Sequence, residues 1–169
     1  MKQNFLSILH ELKSNCEKQN FKGYDVFDGL NSKIFKKTLF FHSRLCRLFW
    51  IQLFKKLPFN LRYLTFTPKT YNAKGLALFI RGFVNLYKTE SKQEHLDSAY
   101  KLADIIISQK NKDRNYSCWG YNFHWEARAF SVPPYKPNMI VSSFDSKLNF
   151  EDGKLLHKNI IMEVANEKI

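Results

Sequence analysis

Trp119, Tyr121 and Trp125 stand beside Asn122, Glu126 and Arg128 in the stretch CWGYNFHWEARAF (118–130). Sugars present apolar C–H faces and a rim of hydroxyls. Sites for them combine flat aromatic platforms with planar hydrogen-bonding side chains. The same stretch holds groups for proton transfer: His124 as a base, Tyr121 as an acid and Glu126 as a further carboxyl. Arg128 would then neutralise a uronate carboxylate, because abstraction of the adjacent proton develops negative charge that must be stabilised. The competing reading is that the aromatics fill a core and that Glu126 and Arg128 form a solvated pair. Residue types alone leave both open.

Asp25 and Asp28 offer a second kind of chemistry. A glycosidase needs two carboxyls about 5–10 Å apart with separated pKa values. Their three-residue spacing in the loop GYDVFDGLNS (23–32) also suits turn-building through side-chain-to-backbone bonds. Lys69, Tyr71 and Asn72 lie in a loop that begins at Pro68, where they either line the same cleft mouth or only close the turn. Glycine-rich phosphate loops, nucleophile elbows and HExxH are absent, which argues against nucleotide-dependent transfer and zinc hydrolysis. Cys16, Cys46 and Cys118 are odd in number, far apart and without a CxxC pair, so neither a disulfide framework nor a metal site is expected. No cofactor is implied, and a reducing, cytoplasmic compartment fits.

The elements that must position these groups read as helices. Phe5, Ile8, Leu9, Leu12 and Cys16 recur at helical spacing and predict a helix over 3–19. Leu45 to Leu57 predict a second over 39–57 with a wide apolar arc, stopped by Pro58. A third runs over 73–88 on Leu76, Phe79, Ile80, Phe83 and Tyr87. Gly82 in its interior costs about 1 kcal/mol relative to Ala, which suggests close approach of another helix. Ser91 and Glu94 form an S-x-x-E capping box that starts a fourth helix, ending near Gln109. NMIVSSF (138–144) passes for a short strand but has no partner. The expected class is all-α, built from antiparallel helix hairpins.

Apolar residues make up 44% of the 169, with 16 Phe, which places the chain among folded proteins. Its net charge is +12, and residues 1–60 carry 11 Lys/Arg against 4 Asp/Glu. The lysines are dispersed, without the like-charge block of a nucleic-acid arm, so nucleic acid is not an expected partner. No stretch has the uninterrupted apolar run of a membrane span, and the N-terminus does not read as a signal peptide. KKTLFFHSRLCRLFWIQLFKK (36–56) is basic at its ends with Phe and Trp on its apolar side. It reads either as a core helix or as a segment lying on an anionic membrane surface.

GYDVFDGLNS (23–32), LFWIQLFKKLPFNLR (48–62), PKTYNAKGLALFIRGFVNLY (68–87) and CWGYNFHWEARAF (118–130) resemble, in order, a bacterial family. It is the α/α-toroid, six-hairpin glycosidase-like family associated with cell-envelope polysaccharide biosynthesis, and WGYN is the distinctive tetrad. The resemblance implies helix hairpins whose loops gather at one end into a carbohydrate cleft, with acidic or neutral polysaccharide as partner. It assigns no reaction. His124 stands where the family pattern has Asp, and Glu126 where it has Gln. A full toroid needs twelve helices, so the resemblance covers the N-terminal third only. It implies a partial toroid over 1–144 and a divergent tail over 145–169, where Leu156, Ile160 and Val164 space a terminal helix. A truncated, inactive member and self-association through uncovered helix faces both follow as expectations, as does a partner supplying the missing toroid half.

Overall fold

The protein, a computed structural model, is described over residues 2–112 and 118–146. The terminal helix expected around Leu156, Ile160 and Val164 lies outside the described residues. Helices dominate: α1 (Lys2–Lys18), α2 (Arg44–Lys56), α3 (Ala73–Glu90), α4 (Gln93–Ser108) and α5 (Met139–Ser146). Three short 3-10 turns, Asp28–Asn31, Phe35–Lys37 and Leu39–His42, lead from the first loop into α2.

The main core is the α3–α4 hairpin. Leu76, Ala77, Ile80, Phe83 and Val84 face Leu96, Ala99, Leu102, Ala103 and Ile106, the three- and four-residue spacing that puts one helix face inward. Ala77, Ala99 and Ala103 are small enough to let the helices approach closely. The link is only Ser91 and Lys92. Ser91 adopts φ 55°, and its N–H donates to the Tyr87 carbonyl at 2.7 Å, which ends α3 with a left-handed residue. This corrects the expected capping box: Ser91 closes α3 rather than opening α4, and Lys92 precedes α4 without a side-chain cap.

A second cluster lies under α2, where Leu30, Phe35 and Ile51 are buried. Phe35 stacks on Trp50 with ring centroids 4.5 Å apart. The Trp50 indole donates to the Gly29 carbonyl at 3.0 Å. A Cβ on Gly29 would meet the Phe54 ring at 3.0 Å, so the 3-10 turn packs tightly against α2 and a larger residue there would have to displace that ring by a few tenths of an ångström.

α1 is held differently. None of residues 5–18 is buried, and Phe5, Ile8 and Leu12 are largely exposed. An apolar trough of about 800 Å³ runs between α1 and α3, lined by Phe5, Leu9, Leu12, Leu78 and Phe83 among others. Gly82 borders it, and a Cβ there would meet nothing within 4 Å, so no helix approaches it closely. Polar groups latch α1 to the α3–α4 corner. His10 and His95 both donate to Glu90, at 2.6 and 3.0 Å, and Lys13 donates to Glu94 at 3.1 Å.

Three further expectations change. α2 begins at Arg44 because residues 39–42 wind as a 3-10 turn and Ser43 is extended. Residues 139–146 form α5, not a strand, with Val141 in the main core. A two-stranded antiparallel sheet, β1 (Trp125–Glu126) with β2 (Ser131–Val132), joins the otherwise helical fold.

Candidate functional site

Three loops meet beside the helix ends. Gly23 and Thr70 exchange backbone hydrogen bonds at 3.1 and 3.0 Å. The Asn31 amide donates to the Asn122 carbonyl at 3.3 Å, and the Asn122 amide donates to the Thr70 hydroxyl. Asn72 donates to the Asp25 carboxylate at 3.3 Å. The loop ahead of α3 is anchored from behind by Ser32, whose hydroxyl donates to the Thr65 carbonyl at 3.0 Å. Of the residues singled out from the sequence, Asp25 and Asn122 are thus brought together with Asn72.

Asp25 and Asp28 build the turn they occupy. The Phe27 N–H donates to Asp25 and the Asp25 N–H to Asp28, both at 3.0 Å. Arg62 clamps the turn, donating to the Asp28 carboxylate at 2.9 Å and the Asp25 carbonyl at 2.7 Å. Burial raises the Asp28 carboxyl above its ordinary range, and the Asp25 amide and Arg62 only partly offset this. With Asp28 enclosed by these donors, the pair is a structural turn with one carboxylate, Asp25, turned toward Asn72.

Two groups at this junction are unusual. The Oδ1 atoms of Asn72 and Asn122 are buried without a hydrogen-bond partner among the described residues. An unsatisfied buried polar atom costs roughly 1–3 kcal/mol, so this pair is the feature of the loops that invites a donor from outside. Tyr121 lies close by: burial, and then the Asp25 charge, push its hydroxyl pKa up, which keeps it protonated and able to donate. Trp125 packs edge-on to Tyr121, ring centroids 5.4 Å apart, and to Phe130 at 4.8 Å.

Glu126 occupies a different environment. Its side chain is fully buried and receives Arg47 at 2.7 Å, Arg44 at 3.2 Å and the Ser131 hydroxyl at 3.0 Å. β1–β2 pairing places Ser131 opposite Glu126. Burial works to raise the Glu126 pKa, but the bonds from Arg47 and Ser131 and the charges of Arg47 and His124 outweigh it, and the carboxyl sits below its ordinary value. Because Ser131 gives its proton to Glu126, its oxygen accepts from His124 Nε2, 2.8 Å away. That nitrogen therefore carries a proton and is not a base toward this pocket. Burial and the Arg47 charge lower the His124 pKa, so the ring is neutral near pH 7. Glu126 and His124 brace the hairpin against α2.

The other candidates are placed as follows. Trp119 is 2% exposed in the α3–α4 core, and its indole donates to the Ile106 carbonyl at 2.9 Å, so it presents no platform to solvent. Arg128 is exposed in the hairpin turn, its carbonyl accepting from Arg44 at 2.6 Å. Tyr71 packs partly on the main core under Lys22, and Lys69 donates to Gln19 and lies over the Tyr24 ring. Among the described residues no three His, Cys, Asp or Glu side chains form a metal-binding group.

Gly120, between Trp119 and Tyr121, is fixed by space. A Cβ there would lie 2.1 Å from the Lys136 carbonyl oxygen, where Tyr135 holds φ 61° and its N–H donates to the Tyr121 carbonyl at 2.7 Å. Gly120→Ala is expected to lower stability by about 2 kcal/mol or more, read as a lower urea midpoint. An unmoved midpoint would mean that this crossing is not made.

Asn31, Arg44, Arg47, Arg62 and Thr70 were not singled out in the sequence. One signal pointed to the arginines. No Asp or Glu occurs from Gly29 to Thr89, so half-buried Arg47 and Arg62 must find carboxylates outside that stretch. No protein-family model, curated protein or solved structure matches the chain.

Proposed function

We propose that the protein is a carbohydrate-binding member of bacterial envelope polysaccharide metabolism, its hairpins forming part of an α/α toroid. The observation that carries this reading is the pair of buried, unpartnered amide oxygens of Asn72 and Asn122 at the meeting of three loops. Both oxygens are closed to solvent, so a sugar hydroxyl, a donor of the required kind, reaches them only as the loops part, and Tyr121 and Trp125 supply aromatic surface beside them. The Asp25 carboxylate near Asn72 and Tyr121 favours a neutral glycan over an acidic one, since a uronate would meet like charge. Binding rather than turnover suits the residues, because Glu126 and His124 are committed to holding the hairpin.

The test is thermal unfolding followed by helical circular dichroism with neutral and acidic oligosaccharides. Only native-state binding raises stability, by about 2.7 kcal/mol at a hundredfold excess over Kd. That corresponds to an upward shift of roughly 5–10 °C for a domain of this size. The shift is expected with neutral glycans and is expected to be lost in Asn72→Ala and in Asn122→Ala. A cooperative melt that no glycan moves would overturn the reading.

A further inference from the structure

The electrostatics of residues 29–89 have a structural counterpart that carbohydrate binding does not use. This stretch of 61 residues contains 12 Lys/Arg and no Asp or Glu. It also carries bulky apolar side chains that the fold leaves in solvent. Leu39 and Phe40, in the 3-10 turn before α2, are 88% and 65% exposed, and Leu45 and Phe49 on α2 are 77% and 69% exposed. Leu45 and Phe49 are four residues apart and so share one helix face. The inward positions of α2 are taken by Ile51 and Phe54. Arg47 holds the 3-10 turn against α2 by donating to the carbonyls of Phe41 and His42, at 2.9 and 3.2 Å. The apolar residues are therefore presented by a fixed scaffold.

Basic groups flank them along the chain: exposed Lys33 and Lys37 ahead of the turn, and Lys55 and Lys56 at the end of α2, while the Lys36 ammonium turns back to donate to Asn31 at 3.2 Å. Glu126 is the carboxylate that answers Arg44 and Arg47, and one negative charge against two positive ones leaves this corner net positive.

We propose that this face binds the surface of an anionic lipid bilayer. Leu39, Phe40, Leu45 and Phe49 enter the boundary between headgroups and acyl chains, and the flanking lysines meet the acidic headgroups. Each Lys near such a surface contributes several-fold in affinity, and apolar burial supplies the rest. The protein lies on the bilayer rather than through it, since no helix among the described residues is long and apolar enough to cross. A nucleic acid would use the charge but not the aliphatic Leu39 and Leu45, whose exposure is what decides between the two.

The test is co-sedimentation of the full chain with phosphatidylcholine vesicles, with and without about 30% phosphatidylserine. Binding is expected to the mixed vesicles only. It is expected to weaken as salt rises from about 0.1 M to about 1 M, which shortens the Debye length from about 10 Å to about 3 Å. Phe40→Ser and Phe49→Ser are each expected to lower the partition coefficient about tenfold. Their melts are expected to match the parent because both side chains are already in solvent. Lys33→Glu with Lys37→Glu, which touches no apolar side chain, is expected to lower it at least as much. The proposal fails if the mixed vesicles are not bound, or if binding survives both Phe substitutions, as simple charge attraction would. It also fails if the patch instead drives a concentration-dependent dimer that Phe49→Ser dissolves.

Discussion

Trp119→Ala is expected to cost about 3–5 kcal/mol, the range for removing a large buried aromatic, and to lower the melting temperature by roughly 10–15 °C. Two losses combine. The indole is 2% exposed against the end of the α3–α4 hairpin, so its removal leaves a cavity among residues that have no slack to fill it. It also takes one of two donors from the Ile106 carbonyl in the last turn of α4, leaving only the Gln109 N–H at 2.9 Å. Trp119→Phe keeps most of the volume but not the N–H, and is expected to fall between the two. A Trp119→Ala protein that melts like the parent but fails to bind glycan would instead make Trp119 a platform, and would contradict its burial.

Glu126→Ala is expected to be nearly as damaging, by about 3 kcal/mol. Removing one partner of a buried ion pair costs about 3–5 kcal/mol because the other is left unpaired. Here Arg47 is largely enclosed, whereas Arg44 is half exposed and regains water, which favours the lower end. The hairpin loses its brace on α2 at the same time. Acid should imitate part of this substitution. Glu126 has a folded pKa below 4.5, and Glu90 is held down to about 2 by hydrogen bonds from His95, Lys92 and His10. For carboxyls with depressed pKa values, the stabilisation is whole above the unfolded value and is lost as pH falls through the folded one. The urea midpoint is therefore expected to decline from about pH 4.5 toward pH 2, less steeply in Glu126→Ala, after a separate loss that begins near pH 6.5 because His124 takes up its proton less readily folded than unfolded. Equal slopes in both proteins would show that Glu126 is not held ionised by its arginines.

The parts of this fold legible in the sequence are those set by local periodicity. Leu76, Ile80, Phe83 and the matching positions of α4 specify a helix pair whichever way the rest is arranged, and α3 is found at Ala73–Glu90 where spacing predicts 73–88. The Asp25–Asp28 turn was legible for the same reason, since its bonds span three residues. What escaped is non-local. Arg44 and Arg47 reach Glu126 some eighty positions away, and nothing near Glu126 in the chain announces them. The strands of the β1–β2 hairpin have two residues each, too few for alternation to register. Trp119 and Trp125 look alike in sequence, yet one seals the core and the other packs half-buried between Tyr121 and Phe130. At the loop junction, Asn122 was visible as a polar residue among aromatics. Its missing partner is a property of three loops meeting.

The trough between α1 and α3 divides the molecule into units of unequal cooperativity. Opening the α3–α4 hairpin exposes most of the buried apolar surface and amounts to global unfolding. Detaching α1 exposes less, because none of residues 5–18 is buried; it frees Leu9 from the main core and breaks the bonds to Glu90 and Glu94. Its opening free energy thus draws on these charged hydrogen bonds as well as on the apolar contact of Leu9. Salt acts on the first helix before it acts on the whole, and its amides exchange with solvent through a sub-global route that the core amides do not share.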